Sequence, residues 1–234
     1  MNFSLDLTQD PFTDPRIAQA IKMAVDRKAV LRAALQGQGT TTGDVPELPS
    51  DPYYPPKRGI PGANIAGAKS LLAAAGHRSG FEFTLTTGDL IGGELDMVTA
   101  LKQVLAPAGI NMKIDQVPVA TFWSNDWLKK PAFTSYWNHR HPHEILELLY
   151  RTNAAWNESK FSDKQVDALM DAGAATRDPK KQKAAFRQAL YLVATKSGVG
   201  IPFFASGIHV AKKKVNGIIV DPQQMFIMEG AWLS

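Results

Sequence analysis

The sequence predicts an α/β fold in which a mainly parallel sheet is flanked by helices. Three segments have the residue types and alternation of strands, at residues 81–86, 110–114 and 132–137. Segments with helical spacing of apolar residues lie before and between them, at residues 66–75, 92–108 and 122–128. Strands that alternate with helices in this way form βαβ units with right-handed crossovers, which makes the strands parallel.

Two helices and a long loop are predicted before the first of these strands. Asp14 is a suitable N-cap and Pro15 a suitable first helical residue, so one helix begins there. Asp26 caps a second helix, which ends at Gly37. Residues 40–63 are rich in proline, glycine and threonine and predict a long loop, which in a compact domain is usually functional or packed over the surface.

The rest of the chain is predicted to be mainly helical, with short strands after the last helix. Ser162 is expected to cap one helix, and Asp178 with Pro179 to start the longest. The predicted helices lie at residues 144–150, 162–175 and 178–197, and the predicted strands at residues 201–204, 208–210 and 215–220. Residues 225–228 are apolar, and nothing after them in the chain could cover them.

The composition is that of an ordinary globular protein. Hydrophobic residues make up 44% and charged residues 21% of the 234 positions. The net charge of +4 is spread out apart from the lysines at 212–214, so we expect no nucleic-acid partner. The absence of cysteine excludes disulfides, zinc–thiolate sites and thiol catalysis. Neither a G-x-S-x-G elbow, a P-loop nor an H-E-x-x-H motif is present, and we expect no enzymatic activity and no cofactor.

Candidate ligand-binding residues follow two of the predicted strands. Ligands of open parallel sheets bind at the carboxyl ends of the strands, where loops and helix N-termini expose backbone N–H groups. Thr87 and Gly88 follow the first strand, and residues 137–140 follow the third. The candidates are therefore Thr87, Gly88, Trp137, Asn138, His139 and Arg140.

Two of these side chains have both a binding and a structural interpretation. Arg140 offers a bidentate donor for a carboxylate or phosphate, or it forms a structural salt bridge. Trp137 stacks on a ligand, or it is a core aromatic residue at a strand end. We expect the other tryptophans to be packing residues: Trp123, Trp127, Trp156 and Trp232.

An alternative function depends on three alternating histidines. His139, His141 and His143 would lie on one face of a strand and could bind Zn²⁺ or Ni²⁺, as in a metal-dependent enzyme or a metal-chelate carrier. Pro142 interrupts the alternation, which favours a polar loop at the rim of a cleft, and we expect no metal site. A third interpretation is an interaction module without a small ligand.

Several segments match a known family in the same order along the chain. They are PFTDPRIAQAI with AVDR within residues 11–27, AKSLLAAAG at 68–76, residues 101–110, FSDKQVDAL at 161–169, IPFF at 201–204 and KVNG at 214–217. Together they resemble the bacterial ABC-transporter solute-binding proteins of the oligopeptide, dipeptide and nickel-binding family. The resemblance implies a periplasmic-binding-protein-like fold of type II, built as two α/β lobes that enclose the ligand.

The resemblance also implies how the chain is divided. We expect residues 1–205 to form the C-terminal ligand-binding lobe of a longer protein. Residues 206–234 would cross back to the N-terminal lobe, which is not part of this chain and would cover the apolar residues 225–228. The function implied is that of a monomeric receptor, periplasmic or at the cell surface, exported by a signal peptide that this chain lacks. It would deliver a short peptide or related small solute to the membrane permease of an ABC importer.

The resemblance further predicts which kind of solute is bound. Peptide-binding members carry an aspartate that pairs with the amino terminus of the peptide, and counting back from Pro142 places that position at Asn138. A neutral side chain there, two residues before Arg140, indicates an anionic group of the solute rather than a free amine. The strand end instead resembles a subgroup with W-x-x-R followed downstream by AWN, here residues 155–157.

Overall fold

The structure, a computed structural model, describes residues 1–221 and 225–234 and has the predicted α/β fold. In chain order the elements are β1 (Asn2–Leu5), α1 (Pro15–Ala24), α2 (Arg27–Leu35), β2 (Gly39–Thr41), α3 (Ile65–Ala74), β3 (Phe81–Thr87), α4 (Glu94–Leu105), β4 (Ile110–Gln116), α5 (Val119–Asn125), β5 (Ala132–Ser135), α6 (Pro142–Leu149), α7 (Lys164–Ala175), α8 (Pro179–Lys196), β6 (Val199–Gly200), β7 (Phe203–Ala205), β8 (Val215–Asn216), β9 (Ile219–Val220), β10 (Phe226–Ile227) and β11 (Trp232–Leu233).

The main sheet has five strands in the order β4-β3-β5-β1-β6. β3 is parallel to β4 from Phe81 opposite Ile110 to Thr87 opposite Gln116, and it is parallel to β5 on its other side. β1 is antiparallel to both β5 and β6. Four strands therefore run in one direction and β1 in the other, which confirms the mainly parallel sheet. The carboxyl ends of β3 and β5 lie at the same edge.

Aspartate side chains cap α1 and α8, two of the helices that begin with proline. Asp14 accepts a hydrogen bond from the Arg16 backbone N–H at 2.9 Å, and Asp178 accepts one from Lys180 at 2.9 Å. α7 begins later than predicted, because Asp163 rather than Ser162 is its N-cap. Each carboxylate satisfies an N–H group that has no partner within its helix.

Several predicted segments differ from the structure. The strand predicted at 215–220 is divided into β8 and β9 around Gly217, whose φ of 74° is not that of a strand. α5 begins three residues earlier than predicted, directly after Pro118. Of the strand predicted at 201–204, only Phe203 and Phe204 are in a strand, β7; β6 already ends at Gly200, and Pro202 between them has no N–H to donate to a ladder. Residues 208–210 are not a strand. β2 lies inside the predicted loop, because its partner β7 is far away in sequence and no local pattern announces the pairing.

The structure has two hydrophobic cores, and the partly buried Leu7 packs against both of them. The first packs α1 to α4 against the sheet, and the second is formed largely by α6, α7 and α8 with Phe186 fully buried. Asp44 ties the long loop to both regions. Its carboxylate lies 2.6 Å from Arg27 and 3.1 Å from Arg58, and it accepts a hydrogen bond from the Ile201 backbone N–H at 3.0 Å. This buried network fixes the loop that precedes α3.

Residues after 205 contribute nothing to either core, as far as the described chain extends. β8 pairs with β11 and β9 pairs with β10, so this segment is made of short antiparallel ladders. Large apolar side chains are exposed along it, namely Ile208, Val210, Ile219, Met225, Phe226, Ile227, Met228, Trp232 and Leu233. None of the helices in the described part of the chain combines the length and apolarity that a membrane crossing needs.

Candidate functional site

The two predicted binding segments lie at the same edge of the sheet. Thr87 is fully buried at the end of β3, and its Oγ1 accepts a hydrogen bond from the Asp89 backbone N–H at 3.3 Å. A Cβ at Gly88 would lie 2.6 Å from Leu90 Cδ2 and 3.0 Å from Phe122 Cβ. The absence of a side chain at Gly88 therefore lets α5 approach the end of β3.

A cavity of about 310 Å³ opens beside the end of β5. We call it the tryptophan cavity. It includes three of the six predicted binding residues, Trp137, Asn138 and Arg140, whereas Thr87, Gly88 and His139 do not line it. Its lining residues are Trp123, Trp127, Ser135, Tyr136, Trp137, Asn138, Arg140, Trp156 and Glu158.

Five aromatic side chains form one continuous surface in this cavity, which we call the aromatic wall. Successive ring centroids are separated by 6.2 Å from Tyr136 to Trp123, 5.3 Å from Trp123 to Trp127, 6.5 Å from Trp127 to Trp156 and 5.6 Å from Trp156 to Trp137. Trp123 and Trp156 are each 43% exposed. The expectation that Trp123, Trp127 and Trp156 merely pack was incomplete, because they pack on one another and expose their rings to an open cavity.

Glu158 lies behind the aromatic wall and is only 1% exposed. Its carboxylate accepts hydrogen bonds from five neutral donors. On Oε1 these are the indole Nε1 of Trp127 at 3.0 Å, that of Trp137 at 3.1 Å and Ser135 Oγ at 2.6 Å; on Oε2 they are Asn2 Nδ2 at 2.9 Å and Ser4 Oγ at 2.7 Å. An ionised carboxylate only accepts and has about four lone-pair sites, so these five donors leave Glu158 no spare acceptor site.

Arg140 combines a structural salt bridge with a second donor beside the cavity, so it has features of both the structural and the binding interpretation. Its Nη1 donates to the carboxylate of Glu144, one turn along α6, which is a structural ion pair. Its Nε is buried and has no hydrogen-bond partner among the residues that the structure describes, and the side chain lines the tryptophan cavity. One edge of the guanidinium is therefore held by the protein while another donor is left for a further acceptor.

His139 turns away from the cavity toward the long loop. Its Nε2 lies 2.7 Å from Glu47 Oε2 and 3.7 Å from Asp51 Oδ2. Burial raises the pKa of Glu47 to about 7, and the hydrogen bond to Glu47 raises the pKa of His139 above its ordinary value. The contact holds the segment after β5 against residues 42–51.

The three alternating histidines do not form a metal site. Pro142 begins α6 rather than continuing a strand, so His141 becomes the N-cap and its Nδ1 accepts a hydrogen bond from the His143 backbone N–H. His143 stacks on Phe186 with 5.7 Å between ring centroids. Among the described residues, the one group of three potential metal ligands is Glu47, Asp51 and His139, which does not include the other two histidines.

Comparison with known proteins identifies the family. Residues 1–157 match the model described as bacterial extracellular solute-binding proteins, family 5, middle region. The chain belongs to this family. Family 5 members are solute-binding proteins rather than enzymes, so the metal-dependent enzyme considered above is not favoured.

Two relatives of this family 5 chain are named glutathione-binding proteins. The glutathione-binding protein GsiB of Salmonella paratyphi A is 26% identical over 256 residues, which cover 97% of this chain and 46% of the relative. GsiB of Escherichia coli K12 is 25% identical with the same coverage. The chain spans about half the length of the curated relatives it matches.

Solved structures of similar fold are also solute-binding proteins. DppA from Helicobacter pylori in complex with the peptide STSA superposes with a TM-score of 0.84 at 19% identity, over 99% of this chain and 46% of that one. The oligopeptide-binding protein AppA from Bacillus subtilis in complex with a nonapeptide gives a TM-score of 0.80 at 20% identity, over 100% of this chain and 50% of that one. These likenesses confirm the predicted periplasmic-binding-protein-like fold of the family 5 chain.

Proposed function

We propose that this chain supplies one lobe of the solute-binding component of an ABC importer for peptides or related small solutes. The observation that carries the proposal is the tryptophan cavity, an open cavity with exposed aromatic rings at the carboxyl edge of a mainly parallel sheet. Membership in family 5, the glutathione-binding relatives and the peptide complexes of the similar structures support it.

The second lobe would close over this cavity. Hinge closure of two lobes buries most of a ligand's surface, and each lobe then contributes part of the binding site. We propose that residues 206–234 pack on the other lobe, since their apolar side chains are exposed in this chain alone. The whole protein would act as a monomer in the periplasm or at the cell surface and hand its solute to membrane permease subunits.

The predicted site residues have different parts in this proposal. Trp137, Asn138 and Arg140 line the cavity and would contact the solute directly. Thr87 and Gly88 would form the neighbouring part of the same sheet edge, against which the second lobe closes. His139 would hold the segment after β5 in position through Glu47.

Native mass spectrometry of the full-length protein tests the proposal. We expect a bound species of small-molecule mass that is released on denaturation and is lost from a variant in which Trp137 and Trp156 are both alanine. A variant with Tyr191→Ala, which alters a partly exposed aromatic residue of α8 outside the cavity lining, should retain it. A full-length protein that purifies without a small molecule and binds none from a panel of short peptides, glutathione, choline and glycine betaine would contradict the proposed function.

A further inference from the structure

We propose that the aromatic wall, with Glu158 behind it, is a subsite for an alkylated ammonium group of the solute. The inference rests on the proposed function and specifies the chemistry of the solute. It depends on three features of the cavity: the exposed ring surfaces, the buried negative charge, and the absence of spare hydrogen-bond acceptors on that charge.

The exposed rings provide the attraction for a cation. The face of an indole ring carries a negative partial charge, and a cation within about 6 Å of the ring centroid is attracted to it. Trp127 and Trp137 both direct their N–H groups at Glu158, so the polar edge of each ring is occupied within the protein. What these rings and the exposed Trp123 and Trp156 offer to the cavity is aromatic surface.

The charge around the cavity favours a cation as well. All five groups that donate to Glu158 are neutral. The buried Met1 amino group also interacts with Glu158, but burial lowers the pKa of that amino group to about 6, so it carries little positive charge at pH 7. Because the carboxylate is 1% exposed, solvent screens it poorly and its field extends into the cavity. In the lining, as far as the chain is described, Arg140 is the one cationic residue, and its Nη1 is already paired with Glu144.

The number of hydrogen bonds that Glu158 already accepts indicates which type of cation the cavity favours. A carboxylate has about four lone-pair sites, and five donors already surround Glu158. A primary ammonium has three N–H groups that need acceptors, and these sites are taken. An alkylated ammonium, which is weakly hydrated and has few or no donors, loses little when it leaves water for an aromatic surface.

Arg140 completes the description of the solute. Its unpartnered Nε lies at the same cavity, so an acidic group of the solute would find a donor beside the aromatic wall. The solute class that fits both ends is a zwitterion with an alkylated ammonium on the aromatic wall and an anionic group toward Arg140.

The test compares choline with 3,3-dimethyl-1-butanol, which has the same shape but no charge. Binding to the full-length protein, freed of endogenous solute, is measured by calorimetry and tryptophan fluorescence. Choline should bind about tenfold or more tightly than its neutral analogue. Glu158→Gln should remove most of this preference without weakening the neutral analogue, and Trp156→Leu, at an exposed ring, should weaken choline even if Glu158→Gln fails to fold. Tyr191→Leu, at a partly exposed ring of α8 outside the cavity lining, is the control and should change neither.

Equal affinity for the two probes would overturn the inference, and so would binding of neither. The proposed function fails separately, because it requires only that the full-length protein binds a small solute. If mass spectrometry finds a bound solute that lacks an alkylated ammonium, the proposed function stands and the inference is wrong. If no small solute binds at all, both are wrong.

Discussion

His139 Nε2 lies 2.7 Å from Glu47 Oε2, and this contact joins two segments that are 92 positions apart in the chain. Glu47 is fully buried, whereas His139 is partly exposed next to the lining residues Asn138 and Arg140. The long loop therefore places the buried Glu47 carboxylate against His139, and this contact fixes the position of the segment that follows β5.

This contact predicts a pH dependence of stability. Because Glu47 raises the pKa of His139 above 6.5, the folded protein holds a proton that the unfolded chain releases. Burial also raises the pKa of Glu47 from 4.5 to about 7, so both groups of the pair hold protons in the folded protein that the unfolded chain releases. The stabilisation is therefore fully present only below about pH 4.5, and it is lost as the pH rises through 7 and through the raised pKa of His139. Glu47→Gln should lower the pKa of His139, measured by NMR titration of its ring, and flatten the pH dependence of unfolding in that range. A pKa for His139 that does not change in Glu47→Gln would show that the two side chains are not coupled in solution. The control is His143→Gln, which alters a histidine outside this contact and should leave the pKa of His139 unchanged.

Lys22 predicts a pH dependence of the opposite sign. Its ammonium is buried and donates to the Ala194 and Ser197 carbonyls at 3.0 and 2.7 Å, and burial lowers the pKa of Lys22 from 10.5 to about 8. Between these two values the unfolded chain binds a proton that the folded protein does not, so stability rises with pH by at most ~3 kcal/mol. Thermal unfolding of the native protein and of Lys22→Met should show this rise only in the native protein. Parallel curves for the two from pH 8 to 10.5 would contradict it.

The starts of several helices could be predicted from the sequence, because they depend only on residues close by in the chain. Asp14, Asp26 and Asp178 each cap a helix as predicted, because an N-cap hydrogen bond spans only two or three residues. The direction of β1 and the presence of β2 depend on partners more than a hundred residues away. No local pattern encodes such a pairing, so these features were not predicted.

The candidate site was predicted only in part, because some of its residues follow from local signals and others depend on contacts between distant segments. The strand-end rule found Trp137, Asn138 and Arg140, since it depends only on where β5 ends. It missed Glu158, whose five donors come from β1, β5 and the segments after α5 and β5. It also missed Glu47 as the partner of His139.

Gly88 predicts a stability effect at the sheet edge. A methyl group there would overlap Leu90 and crowd Phe122, so Gly88→Ala should reduce the free energy of unfolding by about 1–3 kcal/mol. Gly92→Ala is the matched control, because no atom of the described residues lies within 4 Å of a Cβ placed at Gly92. Its effect on the free energy of unfolding should stay within about 0.5 kcal/mol. Urea unfolding of both variants measures the difference, and equal stabilities would show that the edge is not packed as described.

Arg140 predicts the strength of the contact with an anionic group. A charge-assisted hydrogen bond contributes about 1.5–3 kcal/mol, so Arg140→Ala should weaken solute binding to the full-length protein by roughly tenfold to a few hundredfold. Arg140→Lys should recover only part of the loss, and Asn138→Asp should weaken binding by bringing a negative charge near the anion. Calorimetry gives the affinities, and Glu144→Gln, which frees Nη1, should not weaken binding. Unchanged affinity with lowered stability in Arg140→Ala would make Arg140 a structural ion-pair residue.

The most direct test of the account is a crystal structure of the full-length protein with its solute bound. We expect solute atoms within about 4 Å of the Trp137 ring and the Arg140 guanidinium, with the second lobe closed over the aromatic wall. A solute bound elsewhere, with the tryptophan cavity open to solvent in the closed protein, would contradict the central claim that this cavity is the solute-binding surface of the lobe.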